Sequence, residues 1–106
     1  MIDKQIYILH ANICKALGSP LRIEIIDILN KSELNFGDIL EKLKISKSNL
    51  SQHLSLMVAN GILMQRKEGQ NSYFKLSSIK VATACQIMRE VLIDNINKNR
   101  KMFNLK

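Results

Sequence analysis

Seven polar side chains crowd between positions 47 and 55: Lys47, Ser48, Asn49, Ser51, Gln52, His53 and Ser55. Wound into a helix, Ser48, Ser51, Gln52 and Ser55 recur at spacings of three and four and share one face. Leu50, Leu54, Met57 and Val58 take the opposite face, so the polar set turns away from a core. Short donors and acceptors displayed in this way suit the base edges and phosphates of a duplex. A solvated surface helix would more often carry Glu and Lys there. Further along, Arg66, Lys67, Gln70 and Lys75 bring cations and a carboxamide close together. A second constellation is made of sulfur and imidazole. Cys14 and Cys85 are the chain's two thiols, and His10 lies four residues before Cys14, on the same helix face.

Catalytic chemistry is not expected. The two histidines and four glycines are scattered. They form no nucleophile–base pair and no phosphate-cradling loop, and no carboxylate constellation is recognisable.

Local signals set the elements that must position these groups. Ile6, Leu9, Ile13, Ala16 and Leu17 predict a first helix over 4–17. Gly18 ends it, Ser19 caps a second helix over 20–31, and Pro20 suits that helix's first position. Leu21, Ile25, Ile28 and Leu29 are its stripe. Asn35 with Asp38 resembles a cap and its acidic partner, opening a third helix over 36–43. Ser46 caps a fourth over 47–60, and Gly61 stops it. Two β-like runs within 62–76, broken at Glu68-Gly69-Gln70-Asn71, predict a hairpin in which Tyr73 and Phe74 face opposite ways. Val81, Cys85, Met88, Leu92 and Ile96 mark a last helix over 78–100. Its stripe exceeds what so small a core needs. The third and fourth helices are joined by the short turn of a helix-turn-helix, whose second helix leads into the major groove with its N-terminal residues. The expected fold is mainly α with a β-hairpin wing, a single winged helix-turn-helix domain spanning 1–106.

A chain of 106 residues supports one core. Sixteen Lys and Arg against nine Asp and Glu leave a net charge of +7, which favours a polyanionic partner. Part of the excess is a basic tail: Lys98, Arg100, Lys101 and Lys106. No apolar run approaches the roughly 18–20 residues that cross a bilayer. The opening residues lack the pattern of a signal peptide, so no membrane partner and a cytoplasmic location are expected. A reducing compartment would keep both cysteines as thiols.

Three stretches resemble the ArsR/SmtB family of bacterial and archaeal repressors. They are Lys15-Ala16-Leu17-Gly18-Ser19-Pro20-Leu21-Arg22, Ser46-Lys47-Ser48-Asn49-Leu50-Ser51-Gln52-His53-Leu54, and Arg66-Lys67-Glu68-Gly69-Gln70. The resemblance implies a homodimer built from the first and last helices, bound to double-stranded operator DNA and released by an inducer. Many relatives sense metal through a Cys-x-Cys pair in the third helix. The matching stretch, Glu33-Leu34-Asn35-Phe36-Gly37-Asp38-Ile39, has neither thiolate. Other relatives use histidines on the last helix, and this one has none.

The family fold would instead bring Cys14 and Cys85 together at the dimer interface. With His10 they could hold a thiophilic metal or metalloid ion. Alternatively, oxidation or reactive sulfur could link them, and Arg89, four residues on, would favour the Cys85 thiolate. As a third reading, both are small core hydrophobes and the regulator has no cysteine switch. A winged helix can also dock on protein or RNA.

Overall fold

Short polar caps decide where the helices begin. In the computed structural model, which describes residues 3–103 and side chains through Asn99, Ser19 Oγ accepts the Arg22 N–H at the start of α2 (Pro20–Leu29). Asn35 Oδ1 accepts the Asp38 N–H at 2.8 Å, opening α3 (Phe36–Leu43). Ser46 Oγ accepts the Asn49 N–H at 3.1 Å, opening α4 (Lys47–Ala59). Each cap satisfies a donor that the first helical turn leaves without a partner.

The stops are equally local. Lys44 closes α3 in the left-handed region, with φ 57°. At the end of α4, Gly61 adopts φ 74°, its N–H bonds Val58 O, and the Ile62 N–H reaches Met57 O at 2.9 Å. That pair of bonds is a Schellman ending, and the buried Ile62 and Met57 side chains supply its apolar contact.

The chain begins with α1 (Lys4–Ala16) and finishes with α5 (Ile79–Phe103). Helix ends differ from the sequence reading by one to three residues, the largest difference being at the end of α5. The side chains of Arg100 and Lys101, and Lys106 itself, fall outside the described residues. No described helix is long and apolar enough to cross a membrane.

The wing is a three-stranded sheet rather than a bare hairpin. β1 (Leu34–Asn35) pairs with β3 (Asn71–Leu76), which pairs with β2 (Leu63–Glu68), all antiparallel. Leu34 sits opposite Phe74 and Asn35 opposite Tyr73. A two-residue strand carries no alternation for sequence reasoning to detect, so only the pairing reveals it. The β2–β3 turn places Gly69 at φ 63°, the glycine position of a two-residue II′ hairpin.

The core lies between α2, α3, α4 and the sheet. Ile25, Ile26, Leu29, Ile39, Leu50, Leu54, Met57, Ile62, Leu63 and Phe74 are buried there, and Ala16 is the buried residue of α1. On α5, Val81, Ala82 and Cys85 pack against this core, while Met88, Leu92 and Ile96 stand exposed.

Candidate nucleic-acid interface

Because Leu50, Leu54 and Met57 anchor one face of α4, the rest of the helix is offered outward. Lys47, Ser48, Asn49, Ser51, Gln52 and Ser55 are all exposed. The first turn of α4 contains no acidic residue, so its N-terminal N–H groups and Lys47 present an unopposed positive end. Between α4 and the wing runs an open cleft of about 330 Å³. Ser51, Ser55, Gln65, Gln70, Asn71 and Ser72 line it over a floor of Phe36, Leu54 and Phe74. Hydroxyls and carboxamides with no charge among them can both donate and accept, which is the chemistry of base edges.

His53 does not belong to that face. It is half-buried on a flank of α4, with Nδ1 3.1 Å from Arg22 Nη1.

The wing cations divide into two kinds. Lys67 and Lys75 are exposed and, among the described residues, form no ion pair. Arg66 is committed: Nη2 donates to Glu33 Oε1 at 2.7 Å, Nη1 to Glu68, and the guanidinium lies 4.5 Å from the Tyr73 ring centroid. It ties the wing to the segment before β1, which sequence reasoning missed because Glu33 lies 33 positions away. Phe74 enters the core and Tyr73 stays half-exposed beneath Arg66.

The bond from Arg66 holds the Glu33 carboxyl below the usual carboxylate range. A carboxylate held low in the fold contributes stability above its ordinary value, and that contribution fades as pH falls through the lowered one. Chemical unfolding followed from neutral to acid pH should therefore show a Glu33-dependent acid limb, which Glu33→Gln flattens. An unchanged acid limb in that variant would show that the pair adds nothing to the fold. The effect should be small, since exposed pairs contribute little.

The thiols are placed differently from one another. Cys14 is exposed on α1, and Cys85 is half-buried against the core. Burial pushes the Cys85 thiol up, the nearby Asp27 charge adds to this, and Arg89 pulls the other way. Arg89 Nη2 is bonded to Asp27 Oδ2 at 2.8 Å, so much of its charge is answered there. Arg89 therefore acts on Cys85 in the expected direction, but burial and Asp27 outweigh it and hold the thiol above its ordinary range. His10 is exposed, and among the described residues of one subunit no three His, Cys, Asp or Glu side chains converge as metal ligands.

The chain is similar to known proteins in both sequence and fold. A family model described as bacterial regulatory protein, arsR family, matches residues 19–64. The transcriptional activator HlyU of Vibrio cholerae is 32% identical over 77 residues, 73% of this chain and 71% of that one. An arsenical resistance operon repressor of Staphylococcus xylosus is 31% identical over 94 residues, covering 89% and 79% of the two chains. The crystal structure of Rv0081 from Mycobacterium tuberculosis superposes with a TM-score of 0.81 at 26% identity, covering 89% of this chain and 95% of that one.

Proposed function

The chain belongs to the arsR family of bacterial regulatory proteins, a family of DNA-binding transcriptional regulators, and on that footing we propose that it is a repressor that binds a duplex operator as a homodimer. The observation that carries this reading is the α4 face: exposed hydroxyl, carboxamide and ammonium groups beside an uncharged polar cleft. A surface for docking protein would more often offer large apolar anchors. Ser48, Ser51, Gln52 and Ser55 reach base edges, and Lys47 and Asn49 meet phosphate near the helix start. Lys67, with Gln70 at the tip, follows the backbone beside them. Arg66 contributes by holding the wing in place.

Two subunits are required because half-sites lie about one helical turn apart, roughly 34–36 Å. The surfaces that suit a second copy are the uncovered apolar residues Ile6, Leu9 and Ile13 of α1 and Met88, Leu92 and Ile96 of α5.

The experiment compares a palindromic duplex selected from a random pool with its scramble, across salt concentrations. Ser51→Ala and Gln52→Ala should lower the preference for the palindrome, each lost base contact costing about 1–3 kcal/mol of discrimination. Lys67→Ala should weaken both duplexes alike and make the salt dependence shallower by about one phosphate. Equal wild-type affinity for both duplexes at every salt concentration would remove the operator reading, and preference for single-stranded RNA would replace it.

The inducer is assigned to Cys14 and Cys85. With no three-ligand group within one described subunit, a thiophilic metal or metalloid ion would draw its ligands from both, His10 included. Oxidation or reactive sulfur would begin at the exposed Cys14, because burial disfavours the nucleophilic thiolate at Cys85.

A further inference from the structure

Arg22 stands in the first turn of α2, and its side chain runs back across the end of α1. Its Nε donates to Ala16 O, and its Nη2 donates to Lys15 O at 3.4 Å. Those carbonyls belong to the last turn of α1, at the negative end of the helix dipole, and Lys15 O also accepts the Gly18 N–H at 3.1 Å. The third bond leaves α1 altogether, as Nη1 meets His53 Nδ1 of α4 at 3.1 Å. An arginine has donors only. For Nη1 to donate to it, Nδ1 must supply a lone pair, so the bond calls for the tautomer with its proton on Nε2.

Around this bridge the two helices do not close on each other. An open cleft of about 310 Å³ separates Asn12 and Lys15 of α1 from Leu56 of α4 and Asn60 at its end. No hydrogen bond joins α1 directly to α4 among the described residues, so a single guanidinium supplies the polar link between them.

We propose that Arg22 is the positioning residue that sets the DNA-reading helix against the dimerisation helix, with His53 as its receptor on α4 rather than a base contact. This rests on the roles proposed above for α1 and α4. If α1 lies at the dimer contact, the reading faces of two subunits are spaced by how each α4 is held relative to its own α1. A small tilt of α4, pivoting on its buried Leu50, Leu54 and Met57, would carry Ser51 and Gln52 off their base pairs. The planar fork of arginine spans two carbonyls and an imidazole, a geometry that a compact ammonium cannot reproduce.

Three variants test the bridge. Arg22→Lys keeps the charge and loses the fork. His53→Asn keeps an acceptor near the place of Nδ1, whereas His53→Gln sets its amide further out. In the wild-type protein without DNA, the 15N shifts of the His53 ring should show Nε2 protonated and Nδ1 bare, and Arg22→Lys should mix the tautomers. Palindromic duplexes whose half-site spacing changes by single base pairs supply the second readout. Arg22→Lys and His53→Gln should lose roughly tenfold in affinity at the favoured spacing and show a flatter preference, while His53→Asn stays close to wild type. A role in folding alone would lower the melting temperature of Arg22→Lys and leave its spacing preference intact, overturning the proposal. A wild-type ring protonated on Nδ1 would overturn it too. Wild-type protein that binds all duplexes alike would remove the DNA reading on its own, and with it the positioning role, whatever the ring-nitrogen spectrum shows of the bridge.

Discussion

Replacing Leu92 with aspartate should convert the dimer to monomers and remove most of the affinity for the operator. On the single chain Leu92 is 55% exposed, and Met88 and Ile96 lie one turn either side of it, also exposed. Ile6, Leu9 and Ile13 present a second apolar stripe on α1, where Ala16 alone is buried. Large apolar side chains gathered this densely on uncovered faces mark an interface. Fully burying one leucine is worth about 1.5–3 kcal/mol, and a two-fold contact would contain it twice. An unpaired carboxylate in the same place costs more than the leucine contributed.

DNA binding magnifies the loss. When one subunit is bound, the second meets its half-site at an effective concentration in the millimolar range, and such linkage raises affinity by roughly 10²–10⁴. Leu92→Asp should lose about that factor on the palindrome and far less on a single half-site. Sedimentation checks the assembly, and circular dichroism should keep its helical shape because Leu92 is outside the buried core. A variant that stays a tight dimer would place the interface elsewhere.

Cys14→Ser and Cys85→Ser should each hold the protein on its operator under conditions that release the wild type. A swing from 99:1 bound to 1:99 needs an inducer that favours the released state by about 5.5 kcal/mol. Thiolate–metal bonds or a covalent sulfur link can supply that, and a weak surface contact cannot. Cd(II), arsenite and a persulfide donor are added separately. Release by an ion without oxidant, with no covalent mass change, indicates metal or metalloid sensing. Release with a mass change that reductant reverses indicates thiol chemistry. In that case the first modified residue should be Cys14, since the Cys85 thiol is held up by burial and by Asp27. If both variants respond as the wild type does, or the wild type responds to none of the three, the cysteines are packing residues.

What the sequence determined by itself is whatever acts within one or two helical turns. Ser19, Asn35 and Ser46 announce their helices because a cap bonds an N–H three residues on. Gly61 announces an ending because the left-handed region favours glycine. The i, i+4 stripe of Leu50 and Leu54 with its polar counter-face makes α4 readable as a displayed helix, and with it the helix-turn-helix. The tertiary structure alone decided which charged and polar groups meet. Arg66 finds Glu33, Arg22 finds His53 and Arg89 finds Asp27, across 33, 31 and 62 positions of chain. It thereby gave Arg66 two carboxylate partners, set His53 beside Arg22 on a flank of α4 and pushed the Cys85 thiol up through burial. Periodicity reports which side of a helix is buried. It carries no record of which distant partner the fold will bring within hydrogen-bond reach, because that depends on how helices and strands stack once the core has closed.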